Sequence, residues 1–294
     1  MIGERASFRR VFTQGDFDRF ARLTGDDNPI HCDPQFAKRS HFGATVSHGM
    51  LLYSCISKAF GELIPGPGAA QVAQELMFPN PTYVGDEITV ALEVVAENPD
   101  GTLDLDTYVS KPGPEGVVIT AQGRARVRPR GVSSADAPAS GAAEPASGDG
   151  ELYGLRPGMS ASATRSFSVV DLDEYGDLVG DRNPVHRDDA AARAAGFAQR
   201  VVPGPLLAGM FSDLLGTELP GRGTGWMKQR LRFCAPAYPG EPLTARLEIA
   251  RLRAGKELVN LRSTISAGDG RCVCEGEALV LVRNLEVKSR SHAR

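Results

Sequence analysis

The sequence predicts an α+β protein built from two tandem units of the same fold. One offset aligns most of the chain with itself, and each copy runs in the same order through a short strand, helices, one apolar helix and an antiparallel meander. Such internal repetition is the first feature to establish, because it fixes the domain organisation. A helix that is apolar on most faces has to be covered on most faces. One curved sheet wrapped around that helix is therefore the expected packing of each unit.

The repeat is clearest where LTGDDNPIHCD at 23–33 matches LVGDRNPVHRD at 178–188, an offset of 178 − 23 = 155 residues. Aligning 16–89 with 171–244 needs no gap, and 27 of these 74 pairs are identical, several-fold more than chance would give. The chain therefore contains a duplication. We divide it into a first unit at 1–130, a linker at 131–155, a second unit at 156–284 and a polar tail at 285–294. Because the linker is rich in Ala, Ser, Gly and Pro, we expect it to be flexible.

Local signals place the elements of the first unit. Thr13 is suited to cap a helix over 15–24, which has the acidic residues Asp16 and Asp18 in its first turn. A second short helix is expected from Asp33 and Pro34 to about Arg39, and an apolar helix from His48 to about Glu62. Alternating apolar residues predict the strands, which lie at 7–12, 72–78, 87–96, 102–110 and 116–128.

Composition narrows the class of protein. With 33 basic and 36 acidic residues the formal charge is −3, which disfavours a nucleic-acid partner held through phosphate contacts. The sequence has no apolar run of the roughly 20 residues that a membrane helix needs, and no apolar stretch near its start that would predict a secretory signal. The five cysteines show no framework spacing, so we expect a reducing, cytoplasmic environment. Cys272 and Cys274 could in principle bind zinc, but two buried small side chains are the favoured interpretation.

One polar loop carries the chemistry in each unit. Asp26 and His31 flank an Asn-Pro turn in the first unit, and Asp181 and His186 occupy the same positions in the second. Such a turn can bring a carboxylate and an imidazole to one water molecule, and this pair can take a proton from the water and return it elsewhere. The alternative is structural: the aspartate caps the next segment and the histidine is a buried hydrogen-bonding residue.

The apolar helix starts with a second candidate feature. Gly49 and Gly204 stand at its first turn, where a ligand can approach the backbone and free N–H groups favour a developing oxyanion. The alternative is an ordinary helix start. Ser57 and Ser212 lie eight residues further on and could face the same cavity, or could bond the carbonyl of their own helix one turn back.

Together these residues resemble the MaoC-like hydratases, the R-specific enoyl-CoA hydratases. The resemblance rests on LTGD-x-NP-x-H-x-D, then HGM, GPG and F-x-x-P-x-x-x-GD, and covers both units. It implies a double hotdog fold, in which two helix-on-sheet units pair as a pseudo-dimer within one chain. It also implies hydration of trans-2-enoyl thioesters to 3R-hydroxyacyl thioesters, or the reverse dehydration. The thiol carrier would be CoA or the pantetheine of an acyl carrier protein, with no other cofactor and no metal.

By position, the resemblance makes Asp26 and His31 the catalytic pair of the first unit, and Asp181 and His186 that of the second. Gly49 would bind the thioester oxyanion and Ser57 would orient the histidine. Gly204 and Ser212 would do the same in the second unit.

The two copies differ at the start of the apolar helix, where Pro203 replaces His48 and Pro205 replaces Met50. The first unit is therefore the better match, and one or two active sites are both open. A thioesterase or acyl transferase of the same fold, and an inactive thioester-binding module, are the alternative functions. The chain could also pair further as a homodimer.

Overall fold

The computed structural model describes residues 1–132, 146–149 and 151–282. The predicted tail, and most of the predicted linker, lie outside these residues, so the boundaries 131–155 and 285–294 stay predictions. The first unit runs through β1 (Arg5–Val11), α1 (Gln14–Thr24), α2 (Pro29–Cys32), α3 (Pro34–Arg39), α4 (Gly49–Glu62), β2 (Ala70–Met77), β3 (Glu87–Glu97), β4 (Leu103–Gly113) and β5 (Gly116–Arg128).

The second unit repeats this order after a short strand, β6 (Ser147–Asp149), that falls inside the predicted linker. It runs through β7 (Ser160–Arg165), α5 (Val169–Val179), α6 (Pro184–Arg187), α7 (Asp189–Ala194), α8 (Gly204–Thr217), β8 (Thr224–Phe233), β9 (Leu243–Arg253), β10 (Leu258–Ala267) and β11 (Cys272–Val282). The predicted order of elements is confirmed in both units. The one-turn helices α2 and α6 within the polar loops were not predicted.

A single sheet joins the two units. Its strand order is β1-β3-β4-β5-β2-β8-β11-β10-β9-β6, with β7 also pairing with β9. The junction is the antiparallel pair β2–β8, where 73–77 of the first unit lie opposite 228–232 of the second. Because this junction uses the edge strand of each unit, pairing removes two sheet edges that would otherwise be open to solvent.

Helices α4 and α8 form the core of the protein, each packed against the part of the sheet that belongs to its own unit. Met50, Leu51 and Ile56 of α4, and Leu206 and Phe211 of α8, are completely buried. The two helices pack against each other as well as against the sheet of their own unit. No helix in the described ranges combines the length and the apolarity that crossing a membrane requires.

Two glycines let the strands approach closely on either side of the junction. A Cβ at Gly123 would lie 1.7 Å from the carbonyl oxygen of Glu75, and one at Gly276 would lie 1.8 Å from that of Arg230. Such distances are far inside van der Waals contact, and the obstacle is backbone, which cannot rotate away. Each glycine therefore sets the path of a junction strand, β2 or β8.

We expect Gly123→Ala to destabilise the fold by about 1–3 kcal/mol or more, since overpacking has to push two strands apart. Chemical denaturation followed by circular dichroism measures this change. Gly255→Ala is the matched control, because a Cβ at Gly255 would meet no atom within 4 Å. Equal stability of the two variants would contradict the prediction.

Candidate active site

Each polar loop ends one helix and begins the next, which fixes the aspartate between them. Gly25 ends α1 with φ of 89°, a left-handed conformation that glycine adopts without strain. Asn28 then caps α2, whose first residue is Pro29. Asp26 lies between these signals and is only 2% exposed. The second unit repeats the arrangement with Gly180, Asp181, Asn183 and Pro184.

Both loop histidines are oriented by a backbone carbonyl. Nδ1 of His31 lies 2.7 Å from the carbonyl oxygen of Val46, and Nδ1 of His186 lies 2.8 Å from that of Val201. A carbonyl oxygen only accepts, so Nδ1 carries the proton in each ring and Nε2 of the neutral ring is left as a base. This is the geometry that proton transfer at Nε2 requires.

The serine that reaches the first aspartate comes from the other unit. Ser212 on α8 donates a hydrogen bond to Oδ2 of Asp26 at 2.5 Å. Ser57 on α4 instead lines a cavity together with Asn183 and His186 of the second unit. The prediction that each serine serves the histidine of its own unit is therefore wrong. Helices α4 and α8 cross between the units, so each presents its serine to the opposite loop.

The glycines at the helix starts lie under phenylalanine rings. A Cβ at Gly49 would lie 2.9 Å from Cζ of Phe78, and a Cβ at Gly204 would lie 2.7 Å from Cζ of Phe233. A side chain at either position would therefore have to displace the phenylalanine ring. The first N–H groups of a helix have no acceptor within the helix, so they can bind an oxyanion. That role stays a prediction for both glycines.

A third imidazole, which the sequence analysis did not place in the site, completes the first cluster. The ring of His48 stacks on that of His31 with centroids 3.9 Å apart, and its Nε2 lies 3.0 Å from the backbone oxygen of Asp26. His48 stands directly before Gly49 at the predicted helix start. The sequence gives no hint that His48 contacts His31, because that contact depends on how α4 packs.

Burial dominates the electrostatics of this cluster. It lowers the pKa of His48 to about 3, and His31 beside it acts in the same direction. Burial by itself would raise the pKa of Asp26, but His48, His31 and the hydrogen bond from Ser212 together lower it below the ordinary aspartate value. The first site therefore holds an ionised carboxylate beside a neutral His48 at neutral pH.

The second site is more open and lacks two of these partners. Pro203 stands where the first unit has His48, and Oδ2 of Asp181 is buried without a hydrogen-bond partner. Oδ1 of Asp181 accepts from the backbone N–H of Asn183 at 2.9 Å. A cavity reaches this site along His186 and Gly204, whereas its lining includes neither Asp26 nor His31.

Two groups in the described part of the chain have ligand atoms within 4.8 Å of one another, close enough to share a metal ion. One is the cluster of Asp26, His31 and His48. The other brings Cys272 to Cys234, with their sulfur atoms 3.4 Å apart, beside Glu275. In the second group, the carboxylate of Glu275 already forms an ion pair with Arg232 at 2.5 Å and is therefore a poorer ligand for a metal ion.

The favoured interpretation of Cys272 as a buried side chain is wrong, because it is half-buried beside Cys234, whereas Cys274 is buried.

Two apolar helices wrapped by one continuous sheet define a double hotdog protein. In accord with this class, a MaoC-like dehydratase of solved structure covers 98% of this chain and 98% of its own at 16% identity, with a TM-score of 0.75. A Mycobacterium tuberculosis protein solved as a double hotdog covers 96% of both chains at 17% identity, with a TM-score of 0.71. At these identities the likeness shows the fold.

The model of the MaoC-like domain matches residues 2–109 and 156–269, and the chain belongs to this family. The (R)-specific enoyl-CoA hydratase of Aeromonas caviae is 36% identical over 126 residues, which are 43% of this chain and 94% of the relative. The 3-hydroxybutyryl-CoA dehydratase of Methylorubrum extorquens is 35% identical over 132 residues, 45% of this chain and 83% of the relative. Each of these relatives thus matches a stretch about as long as one of the two units.

We expect Ser212→Ala to destabilise the protein by about 1.5–3 kcal/mol at pH 7, because it removes a hydrogen bond to a buried carboxylate. The bond lowers the pKa of Asp26, so its loss raises that pKa. A carboxyl whose pKa is lowered by folding stabilises the protein above the ordinary value of 3.8 and loses this effect as the pH falls through the folded value. The penalty should therefore shrink below about pH 4.

Unfolding free energies measured across this pH range test the expectation. Ser57→Ala is the matched control, because Ser57 occupies the equivalent position on α4 but donates no comparable bond to Asp181, whose Oδ2 has no partner. A penalty that is the same for both serines, or that does not change with pH, would argue against the carboxylate bond as its source.

Proposed function

We propose that this protein adds water to trans-2-enoyl thioesters to give 3R-hydroxyacyl thioesters, or catalyses the reverse dehydration. The observation that carries the proposal is the repeated pair of aspartate and histidine, in which a backbone carbonyl holds Nδ1 and leaves Nε2 free. Family membership and hydratase and dehydratase relatives at 35–36% identity support the same chemistry.

The residues match the steps that hydration needs. Nε2 of His31 takes a proton from water while the water oxygen bonds to C3 of the substrate, and the double-bond electrons move toward the thioester oxygen. The N–H of Gly49 and the positive end of α4 stabilise the resulting enolate. The carboxylate of Asp26 balances the charge that His31 gains, and the proton is then delivered to C2. His186, Asp181 and Gly204 take these roles in the second site.

The substrate arrives on a thiol carrier, for which CoA and an acyl carrier protein are both candidates. Relatives named for each carrier match this chain, among them the Aeromonas caviae hydratase and an Arabidopsis thaliana 3-hydroxyacyl-[acyl-carrier-protein] dehydratase at 30% identity. Hydration leaves the overall oxidation state of the substrate unchanged, so the proposal requires no redox cofactor. Further pairing of the chain as a homodimer stays a prediction.

We propose that both sites act, because the base is oriented in the same way in each. Asp26→Asn and Asp181→Asn should each retain part of the wild-type rate, and the double variant should lose about 10²–10⁴-fold, the usual contribution of general acid–base groups. Loss of the ultraviolet absorbance of crotonyl-CoA, or of a longer enoyl-CoA, measures the rate.

Asp27→Asn is the control for the first substitution, since Asp27 lies in the same loop but is exposed. It should behave as the wild type. If the double variant hydrates enoyl thioesters as fast as the wild type does, the proposed pairs are not the catalytic groups. If one single variant loses all activity, only that site acts. Release of free thiol in place of hydration would favour the thioesterase alternative.

A further inference from the structure

His48 is more deeply enclosed than a residue at a helix start usually is. Its side chain is completely buried, in contact with the rings of Phe17, Phe20 and His31. It makes no capping bond to its own helix. A polar ring in such a place normally has its hydrogen bonds satisfied, so the partners of its two nitrogens identify what it does.

One nitrogen of His48 is assigned and the other is unpartnered. Nε2 lies 3.0 Å from the backbone oxygen of Asp26, which can only accept, so Nε2 carries a proton. Nδ1 is buried and has no hydrogen-bond partner. Because burial keeps the ring neutral, Nδ1 holds a lone pair and needs a donor.

The neighbours of His48 are acceptors as well. Nδ1 of His31 donates its proton to the carbonyl oxygen of Val46, which leaves a lone pair on Nε2. The ionised carboxylate of Asp26 can only accept hydrogen bonds. One ligand atom from each of the three residues lies within 4.8 Å of the others. Nδ1 of His48 and Nε2 of His31 thus belong to two stacked rings and neither has a donor among the described residues, which favours a small molecule that donates two hydrogen bonds, and water is the smallest such molecule.

We propose that His48 is a positioning residue that, together with His31, holds the reacting water of the first site. This inference rests on the proposed hydration. Oδ2 of Asp26 already accepts from Ser212, and its Oδ1 accepts weakly from the N–H of Asn28 at 3.4 Å. The water therefore donates one proton to Nε2 of His31, where it is transferred, and the other to Nδ1 of His48, where it stays on the oxygen. This pair of bonds turns a lone pair of the oxygen toward C3.

The second site provides a contrast within the same chain. Pro203 has no side-chain acceptor, and Oδ2 of Asp181 is there the acceptor without a partner. Under this proposal the two sites hold water differently, by an imidazole in the first and by the unpartnered carboxylate oxygen of Asp181 in the second. A substitution of His48 should therefore act on the first site alone.

The test uses the full chain with Asp181→Asn, so that only the first site is measured, and two substitutions that divide the functions of His48. His48→Gln places an amide N–H near the position of Nε2 and removes the acceptor at Nδ1. His48→Asn places an amide oxygen near the position of Nδ1 and removes the donor to Asp26.

We expect His48→Gln to lower kcat for crotonyl-CoA by about 10²-fold, the usual cost of misplacing a reactant, with KM nearly unchanged. His48→Asn should recover most of that loss.

Thermal unfolding of both variants accounts for any general damage to the core. If His48 has only a packing role, the loss of kcat follows the loss of stability and Asn does not rescue it, which overturns the inference. Nitrogen-15 NMR of labelled histidine gives a readout that needs no substrate. His48 should be neutral with its proton on Nε2 at pH 7, and a proton on Nδ1 would also overturn the inference.

The outcomes separate this inference from the proposed function. If Asp181→Asn hydrates crotonyl-CoA and His48→Gln in that background is as fast, the inference fails and the proposed function stands. If Asp181→Asn is inactive while the wild type is active, the first site performs no hydration, and the inference fails with it. If the wild type acts on no enoyl thioester, the proposed function and this inference both fail.

Discussion

The apolar surface of the two central helices is the constraint on which the rest of the structure depends. Helices α4 and α8 are buried on nearly all sides, and the sheet of one unit covers only part of that surface. The remainder is covered by the other helix and the other unit, which brings small residues of each helix against the opposite polar loop. A Cβ at Gly61 would lie 2.5 Å from Cβ of Asn183, and one at Gly209 would lie 2.3 Å from Cγ2 of Thr24. Each candidate site therefore takes its loop from one unit and is completed by core packing against the helix of the other unit.

Because the central helix of each unit also packs against the polar loop of the other, substitutions in one copy change the site of the other copy. Lys58 and Asp213 occupy equivalent positions on the two helices but carry opposite charges. Asp213 lies beside Gly25 of the first site, and Lys58 lies beside Gly180 of the second. Burial, with Asp26 acting in the same direction, raises the pKa of Asp213. The duplicated backbone therefore surrounds its two aspartates with different electrostatic environments.

Local signals predict the elements of this fold well, because each signal acts within a few residues. Thr13 and Asp16 form the capping box that begins α1, and the predicted start of the apolar helix differs from the observed one by a single residue. The candidate site is only half accessible to such reasoning. Spacing along the loop predicts that Asp26 and His31 come together. The bond from Ser212 to Asp26 joins residues 186 positions apart, and the stacking of His48 on His31 depends on the position of α4. The contact between Cys234 and Cys272 likewise follows from how the end of β8 meets β11.

The two kinds of contact in the site respond differently to sequence change, and this explains which features the copies share. His31 and His186 are oriented by the carbonyls of Val46 and Val201, whose own N–H groups donate to the residues just before the histidines, at 3.1 Å and 2.9 Å. The acceptor of each histidine bond is a backbone carbonyl oxygen, so substitution of neighbouring side chains leaves the bond intact. The surroundings of each aspartate depend on side chains instead, and there the copies differ. His48 of the first unit corresponds to Pro203 of the second. Ser212 donates a hydrogen bond to Asp26, whereas Oδ2 of Asp181 has no partner. Duplication has therefore kept the orientation of the loop histidine while the side chains around the aspartate have changed.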